Sequence, residues 1–295
     1  MRQLLCIVGP TASGKSSLAL EICAEIGGEI VSCDSMQIYR GCDIATAKPT
    51  PEERAQTHHH LLDLCDPNAR FSAAQWASEA RNAIDDIEKR GKTPIVCGGT
   101  GFYLRALLSP EILSEVAPDE KLRAQLSAEL KESGTEKMHE KLAKIDPKAA
   151  ARLHPNDSFR VLRALEIALS KPREVSTLVS EFSPRILGLE WPREVLYERI
   201  NARVDAMIAA GFDDELRDLA EKWGRDAPAL GGVGYKQMLP VLDGKIAREE
   251  GIETWKRETR RYAKRQMTWF RHQLDVRWLD GAQPKNWVSE IAIRS

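Results

Sequence analysis

Short apolar runs recur along the first hundred residues of the chain. Leu4 to Val8 is the first, and comparable runs occupy residues 29–33 and 93–97. Each run is strand-sized and stops at a glycine or an acidic residue, which is typical of a strand buried on both faces of a parallel sheet. We therefore expect three parallel strands in this part of the chain.

Helical periodicity fills the intervals between these strands. Lys15 to Ile26 is followed by the helix-stopping pair Gly27-Gly28, and Ser72 can cap a helix that runs to about Arg90. Strands that alternate with helices favour an α/β fold, a parallel sheet with helices on both faces. In such folds ligands bind beyond the carboxyl ends of the strands.

The middle of the chain departs from this alternation. No clear strand is apparent between residues 114 and 182, where mixed charges lie along helical segments, and residues 185–189 return to strand character. We predict a helical insertion that divides the core. The expected domains are a first core part at 1–113, the insertion at 114–182, and core completion with basic C-terminal helices at 183–295.

Composition is typical of a globular protein with reduced thiols. The six cysteines form no Cys-x-x-Cys pair, and no apolar stretch is long enough to cross a membrane. We expect a cytoplasmic protein with no membrane partner. The formal net charge of −1 conceals a local excess of Lys and Arg over Glu258 and Asp275 between residues 256 and 277. That excess is a candidate footprint for a polyanion.

A glycine-rich loop with the spacing Gly-x-x-x-x-Gly-Lys-Ser follows the first strand. Its glycines allow successive backbone N–H groups to face phosphate oxygens, and the next helix directs its positive end toward them. Lys15 adds a full positive charge, and Ser16 offers the kind of oxygen that Mg²⁺ prefers. We predict a phosphate-binding P-loop formed by Gly9, Pro10, Thr11, Ala12, Ser13, Gly14, Lys15 and Ser16.

The P-loop identifies a phosphate chain but not a reaction. Nucleotide hydrolases normally carry an acidic residue after a hydrophobic strand, yet residues 95–97 are followed by Gly98-Gly99-Thr100-Gly101. The acid available at a neighbouring strand end is Asp34. Its carboxylate could act as a general base, contribute to a metal site, or cap the loop that follows it.

Further motifs follow in order over most of the chain. They are Gly-Pro-Thr-Ala-Ser-Gly-Lys-Ser at 9–16, Asp-Ser-Met-Gln-Ile-Tyr-Arg-Gly at 34–41, Thr-Ala-Lys-Pro at 46–49, Gly-Gly-Thr-Gly-Phe-Tyr-Leu at 98–104, His-Pro-Asn-Asp at 154–157, Arg-Ala-Leu-Glu at 163–166, Gly-Tyr-Lys at 234–236, Arg-Tyr-Ala-Lys-Arg-Gln at 261–266 and Thr-Trp-Phe-Arg at 268–271. Together they resemble the tRNA dimethylallyltransferase family. Many families share a P-loop, whereas this ordered set is specific.

The resemblance implies a P-loop NTPase-like fold with a helical insertion domain. It also implies transfer of a dimethylallyl group from dimethylallyl diphosphate to N6 of the adenosine 3′-adjacent to the tRNA anticodon, with release of diphosphate. In this reading Asp34 is the base for the amine, Thr100 and Arg123 stabilise the leaving group, and Mg²⁺ lies at Ser16. The loop then binds a leaving group instead of a nucleotide, which agrees with the missing acid after residues 95–97.

The resemblance further implies contacts with tRNA by Asp34, Thr100, Arg123 and two short segments. The segments are Ser35, Met36 and Gln37, and Phe159, Arg160, Val161, Leu162 and Arg163. The family more usually has a glutamine in place of Phe159, so stacking could replace a hydrogen bond there. One face of the C-terminal helix is expected to meet phosphates through Arg257, Arg261, Lys264 and Arg271.

The adjacent histidines at 58–60 do not share one helix or strand face as metal ligands, so no transition metal is assigned. Their match to a His-His-Leu segment common in the family suggests a structural or substrate-channel role.

Other functional classes fit parts of the sequence. A P-loop kinase of small metabolites would use Asp34 toward a hydroxyl group, and an adenylate isopentenyltransferase would prenylate a free nucleotide. A non-catalytic RNA-binding protein would merely retain the loop. Lys15, Ser16 and Asp34 favour an enzyme, while the helical insertion and the basic C-terminal helix favour a macromolecular acceptor. We expect a monomer.

Overall fold

The computed structural model describes residues 1–110, 120–170 and 180–283. The chain forms two compact units. The first unit contains Met1–Pro110 together with Ser180–Ser295, and the second is Glu111–Val179. The expected domain boundary between residues 113 and 114 lies outside the described residues, as does the end of the last expected domain from residue 284 onward.

A six-stranded parallel sheet forms the centre of the first unit, in the order β3-β2-β4-β1-β5-β6. The strands are β1 (Arg2–Val8), β2 (Gly28–Ser32), β3 (His59–His60), β4 (Thr93–Gly98), β5 (Phe182–Glu190) and β6 (Arg277–Asp280). Helices flank this sheet, so the expected α/β class is confirmed. Because β2, β4 and β1 are neighbours, the segments that follow them meet at one edge of the sheet.

The helices of the first unit are α1 (Lys15–Ile26), α2 (Pro51–Gln56), α3 (Ala73–Lys89), α4 (Gly101–Leu108), α9 (Arg193–Ala209), α10 (Phe212–Trp223), α11 (Tyr235–Leu242) and α12 (Arg248–Gln273). Those of the second unit are α5 (Glu120–Ser133), α6 (Thr135–Ile145), α7 (Pro147–Ala150) and α8 (Ser158–Leu169). Within the described ranges, no helix has the length and apolar character that crossing a membrane requires.

Local signals explain where the first helices begin and end. Gly27 has a left-handed φ of 66° and closes α1 with a bond from its N–H to the carbonyl of Cys23. At the start of α3, Ser72 and Gln75 form a reciprocal capping box. The inward face of α1, including Leu18 and Ile22, packs on apolar side chains of the sheet. Burial of each such side chain stabilises the fold by roughly 1.5–3 kcal/mol.

Strands β3 and β6 were not expected from the sequence. β3 contains two of the adjacent histidines, and Nε2 of His60 lies 2.7 Å from the buried carboxylate of Glu29. Arg90 and Lys92 also pair with Glu29, at 2.6 and 2.7 Å. These contacts give His60 a structural role at the sheet edge, of the kind that the sequence left open.

The second unit has a small apolar core of its own, formed by Leu126, Met138, Leu142, Ala150, Val161 and Leu165. The face of α8 that carries Val161 and Leu165 points into this core. Val161 is fully buried in this core, and its contact with tRNA stays a prediction.

Candidate active site

The P-loop connects β1 to α1 and is held by two side chains near the start of α9. Nε1 of Trp191 donates to the carbonyl of Ser13 at 2.8 Å, and Nε of Arg199 donates to the carbonyl of Ala12 at 2.9 Å. The Arg199 guanidinium also stacks over the Trp191 ring, 4.3 Å from its centre. Gly14, with φ 94°, precedes α1 without a side-chain cap. The N–H groups of the first turn are thus available to an anion.

A cavity of about 350 Å³ lies beside the P-loop. Its polar lining includes Lys15, Ser16, Asp34 and Arg203. Its apolar lining includes Ile200, Val204 and Met207, which share one face of α9. The cavity therefore combines a phosphate loop, a carboxylate and an apolar wall.

Lys15 and Arg203 place two positive charges on this cavity. Burial and the neighbouring Arg203 lower the pKa of Lys15. Burial also lowers the pKa of Arg203, while the Asp34 carboxylate acts in the opposite direction. Nζ of Lys15 donates to the carbonyl of Pro10 at 3.4 Å, within the P-loop itself. Two such cations in a partly buried site favour a multiply charged anion.

Asp34 follows β2 and is oriented by the turn that it begins. Its Oδ1 accepts a hydrogen bond from the backbone N–H of Met36 at 2.9 Å, so one of its oxygens caps the loop. The end of β2 is held by Trp76, whose Nε1 donates to the carbonyl of Ser32 at 3.1 Å and whose ring stacks on Tyr103. The carboxylate is therefore fixed before any ligand binds.

Thr100 joins the segment after β4 to the segment that contains Asp34. Its Oγ1 accepts from the N–H of Ser35 at 3.0 Å and lies 3.3 Å from Oγ of Ser35. Its own N–H donates to the carbonyl of Cys33 at 3.1 Å. Thr100 does not line the cavity. The structure thus brings its hydroxyl to Ser35, and its role at the leaving group stays a prediction.

Gln37 lines the cavity but uses its side-chain amide within the protein. Its Nε2 donates to the carbonyls of Thr46 and Ala47 at 3.2 and 3.1 Å, and its Oε1 accepts from Oγ of Ser32 at 2.9 Å. These bonds occupy both amide protons. Gln37 therefore positions a loop in this geometry, and its contact with tRNA stays a prediction.

A carboxylate on α10 fixes another part of the same loop. Glu215 accepts hydrogen bonds from the backbone N–H groups of Asp43, Ile44 and Ala45 at 2.9, 2.6 and 3.3 Å, and from the Tyr235 hydroxyl at 2.6 Å. Bonds to an ionised acceptor are stronger than neutral ones. Sequence reasoning missed Glu215 because its backbone partners lie 170 or more positions away.

Helix α12 contributes Tyr262, Arg265 and Gln266 to the cavity. The guanidinium of Arg265 lies over the Tyr262 ring at 5.8 Å. Burial raises the pKa of Tyr262 well above its usual range, so its phenol stays neutral. These three residues and Arg203 were absent from the predicted site. The motif at 261–266 was the available signal for those of α12, whereas Arg203 lies in no motif.

Arg123 and Arg163 belong to the second unit, where both pair with the buried carboxylate of Glu166. The distances are 2.9 Å from Nε of Arg123 and 2.6 Å from a terminal nitrogen of Arg163. Each arginine keeps about a third of its side chain exposed. Glu166 therefore orients two cations at the surface of this unit.

The other residues expected at tRNA differ in exposure. Phe159 is 81% exposed at the start of α8, and Arg160 is exposed and pairs with Asp157 at 3.0 Å. Leu162 is half-buried beside the core of the second unit. Phe159 and Arg160 are thus the most accessible of this segment.

Known proteins resemble this chain in sequence over most of its length. Residues 37–273 match the family model of IPP transferase. A tRNA dimethylallyltransferase of an Exiguobacterium species is 44% identical over 279 residues, which cover 94% of this chain and 90% of the relative. The Bacillus subtilis protein of the same name is 40% identical and covers 95% of this chain and 91% of the relative.

Solved structures give the same result. A tRNA isopentenylpyrophosphate transferase from Bacillus halodurans superposes with a TM-score of 0.74 at 42% identity, covering 99% of this chain and 96% of its own. A eukaryotic dimethylallyltransferase acting on tRNA superposes with a TM-score of 0.82 at 31% identity, covering 99% and 78%. On these matches, the chain belongs to the IPP transferase family.

Proposed function

We propose that the chain transfers a dimethylallyl group from dimethylallyl diphosphate to N6 of the adenosine 3′-adjacent to the tRNA anticodon, releasing diphosphate. The observation that carries this proposal is one cavity lined by a phosphate loop, two cations and the carboxylate of Asp34. The relatives described above carry the name of this activity. The missing acid after β4 also suits a loop that binds a leaving group.

The diphosphate of the donor binds the loop from Gly9 to Ser16. Negative charge grows on it as the bond to the allylic carbon breaks, and Lys15, Arg203 and the first N–H groups of α1 stabilise that charge. Mg²⁺ fits the same place, because Ser16 offers one hydroxyl oxygen and the diphosphate and water can supply the rest. When bound, the ion adds positive charge to the leaving group. In the described ranges no cluster of acidic, histidine or cysteine side chains offers it an all-protein site.

Asp34 accepts the proton of the adenine amine as the new carbon–nitrogen bond forms. The turn to Met36 holds the carboxylate in place for this step. The apolar wall of α9 suits the hydrocarbon part of the donor. Thr100 and Arg123 are proposed as further donors to the leaving group, and the bond of Thr100 to Ser35 supports the segment beside the base.

The target adenine must leave its loop before its amine can meet Asp34, and a single-stranded anticodon loop lowers the cost of that movement. We assign tRNA contacts to two segments and to Asp34, Thr100 and Arg123. The segments are Ser35, Met36 and Gln37, and Phe159, Arg160, Val161, Leu162 and Arg163. The six free cysteines suit a reducing compartment, and we propose a cytoplasmic monomer.

The proposal is tested by incubating the protein with Mg²⁺ and radiolabelled dimethylallyl diphosphate. The acceptor is unmodified tRNA, AMP or none, and a parallel reaction contains ATP and no prenyl donor. We expect label in tRNA only, at the adenosine next to the anticodon. Label in AMP alone would indicate an adenylate isopentenyltransferase. Consumption of ATP without transfer of label would indicate a kinase, and either result contradicts the proposal.

A further inference from the structure

The P-loop and the segment after β4 separate where their strands stop pairing. The parallel register of β1 and β4 extends from Leu5 with Ile95 to Val8 with Gly98. Beyond Val8 and Gly98, the two segments are no longer paired as strands. The side chain of Gln266, which comes from α12, lies between them.

Gln266 forms two hydrogen bonds in opposite directions. Its Oε1 accepts from the backbone N–H of Thr11 at 3.0 Å, and its Nε2 donates to the carbonyl of Gly99 at 2.9 Å. These partners fix the orientation of the amide, because an N–H group needs an acceptor and a carbonyl needs a donor. The amide therefore bridges the two segments by hydrogen bonds, just beyond the last paired residues of β1 and β4. Gln266 is only 7% exposed, so loss of either bond leaves a poorly hydrated polar group.

Gly99 provides the space that this amide occupies. A Cβ atom at position 99 would lie 2.4 Å from Nε2 of Gln266, closer than side-chain carbons approach a neighbour. The amide of Gln266 can therefore approach the loop this closely because residue 99 has no side chain.

The hydrogen bonds continue from Gly99 toward the carboxylate. The next residue, Thr100, donates its N–H to the carbonyl of Cys33 and accepts from the N–H of Ser35. Cys33 and Ser35 flank Asp34. One side chain therefore connects the diphosphate loop to the segment that carries the base.

We propose that Gln266 is a positioning residue that holds the P-loop at a fixed distance from Thr100 and Asp34. This inference rests on the proposed function, since it concerns the distance between a leaving diphosphate and the base of a prenyl transfer. The reaction needs the amine nitrogen, the allylic carbon and the leaving oxygen in line at the same time. Each substrate alone needs only one side of the site. Loss of the link therefore slows transfer more than it weakens either substrate.

Gln266→Met tests the proposal, because it keeps the side-chain volume and removes both hydrogen bonds. We expect the single-turnover rate of transfer to fall about 10- to 100-fold. The dissociation constants of tRNA and of inorganic diphosphate with Mg²⁺ should change less than about 3-fold. Gln266→Glu keeps an acceptor for Thr11 but sets a carboxylate oxygen against the Gly99 carbonyl, so it should lower the rate in the same direction.

A matched control is Gln75→Met, which removes an amide that accepts from the backbone N–H of Ser72 at 2.9 Å, away from the cavity. It should transfer at the wild-type rate. Gly99→Ala keeps Gln266 but displaces its amide from the loop. This variant tests the positioning role if Gln266→Met does not fold. It should also slow transfer.

The role of Gln266 would be structural only if Gln266→Met melts at a lower temperature but retains the wild-type rate while folded. That result, or a wild-type rate in Gly99→Ala, overturns the positioning role. A wild-type protein that transfers no label to tRNA overturns the proposed function instead. The two failures are therefore distinguishable.

Discussion

Lys15, Asp34 and Arg203 surround one cavity with two positive charges and one negative charge. A diphosphate needs the positive charges, and they become more important as its bond to carbon breaks. An adenine amine is neutral and needs the negative charge only to remove its proton. The same three residues can therefore serve both halves of a prenyl transfer.

Asp34→Asn separates the chemical role of this residue from its structural role. Asparagine keeps an oxygen that can accept from the N–H of Met36, so the turn should remain. We expect tRNA affinity to be largely preserved and transfer to slow by about 100-fold or more, measured by single-turnover kinetics and by tRNA binding. Asp280→Asn is a matched control, because Asp280 caps the N–H of Ala282 with the same spacing. Unchanged turnover in Asp34→Asn would remove Asp34 from the mechanism.

Lys15 should make the use of dimethylallyl diphosphate less efficient at alkaline pH. Burial and Arg203 lower its pKa, so Lys15 loses its proton at a lower pH than an ordinary lysine. The ratio kcat/KM for dimethylallyl diphosphate should be constant at pH values below this lowered pKa. It should fall as the pH rises through it. Lys15→Arg keeps its charge and should lose this fall, whatever its absolute rate. The same fall in Lys15→Arg would assign it to another group, and Lys89→Arg should leave the profile unchanged.

At the scale of helices and strands, the sequence predicted elements whose signals are local. The ends of α1 and α3 follow from Gly27 and Ser72, which act on their own helices. β3 has two residues and β6 has four, too few to show a period. The hydrogen bonds of Gln266 could not be predicted for a different reason, because its partner Thr11 lies 255 positions away in the sequence. A polar residue on the buried side of a helix reveals its partner only after folding.

The cluster at the start of β2 should make stability depend on acid. Hydrogen bonds from Arg90, Lys92 and His60 hold the pKa of Glu29 well below its usual range. Its stabilising contribution is therefore complete above the unfolded-state pKa of about 4.3. It decreases as the pH falls from there through the lower folded-state pKa.

Glu29→Gln tests this contribution by urea unfolding over a range of pH. We expect the free energy of unfolding to decrease by about 2 kcal/mol at pH 7, and the difference from wild type to shrink below about pH 4.3. Glu79→Gln, at an exposed position of α3, should have little effect at any pH. A difference that does not vary with pH would mean that the ionisation of Glu29 is not its source.

On the scale of the whole molecule, the net charge of −1 offers tRNA no general attraction. Affinity must then come from local groups of basic residues. On α12, Arg257 and Arg261 lie close to Glu258, whereas Lys264 is exposed and forms no ion pair with any described residue. Lys264 can therefore meet a phosphate without first breaking an internal contact.

Lys264→Ala should weaken tRNA binding and reduce its dependence on salt. If Lys264 neutralises one phosphate, the slope of log K against log salt should become shallower by about 0.7–0.9. The affinity for inorganic diphosphate should not change, because Lys264 does not line the cavity. Lys89→Ala is the control, because it removes an equal charge at the end of α3. Lys89 comes shortly before the start of β4, whereas the P-loop follows the end of β1, so the two lie at opposite edges of the sheet. An equal loss of slope in both variants would show that net charge, and not this face of α12, attracts the tRNA.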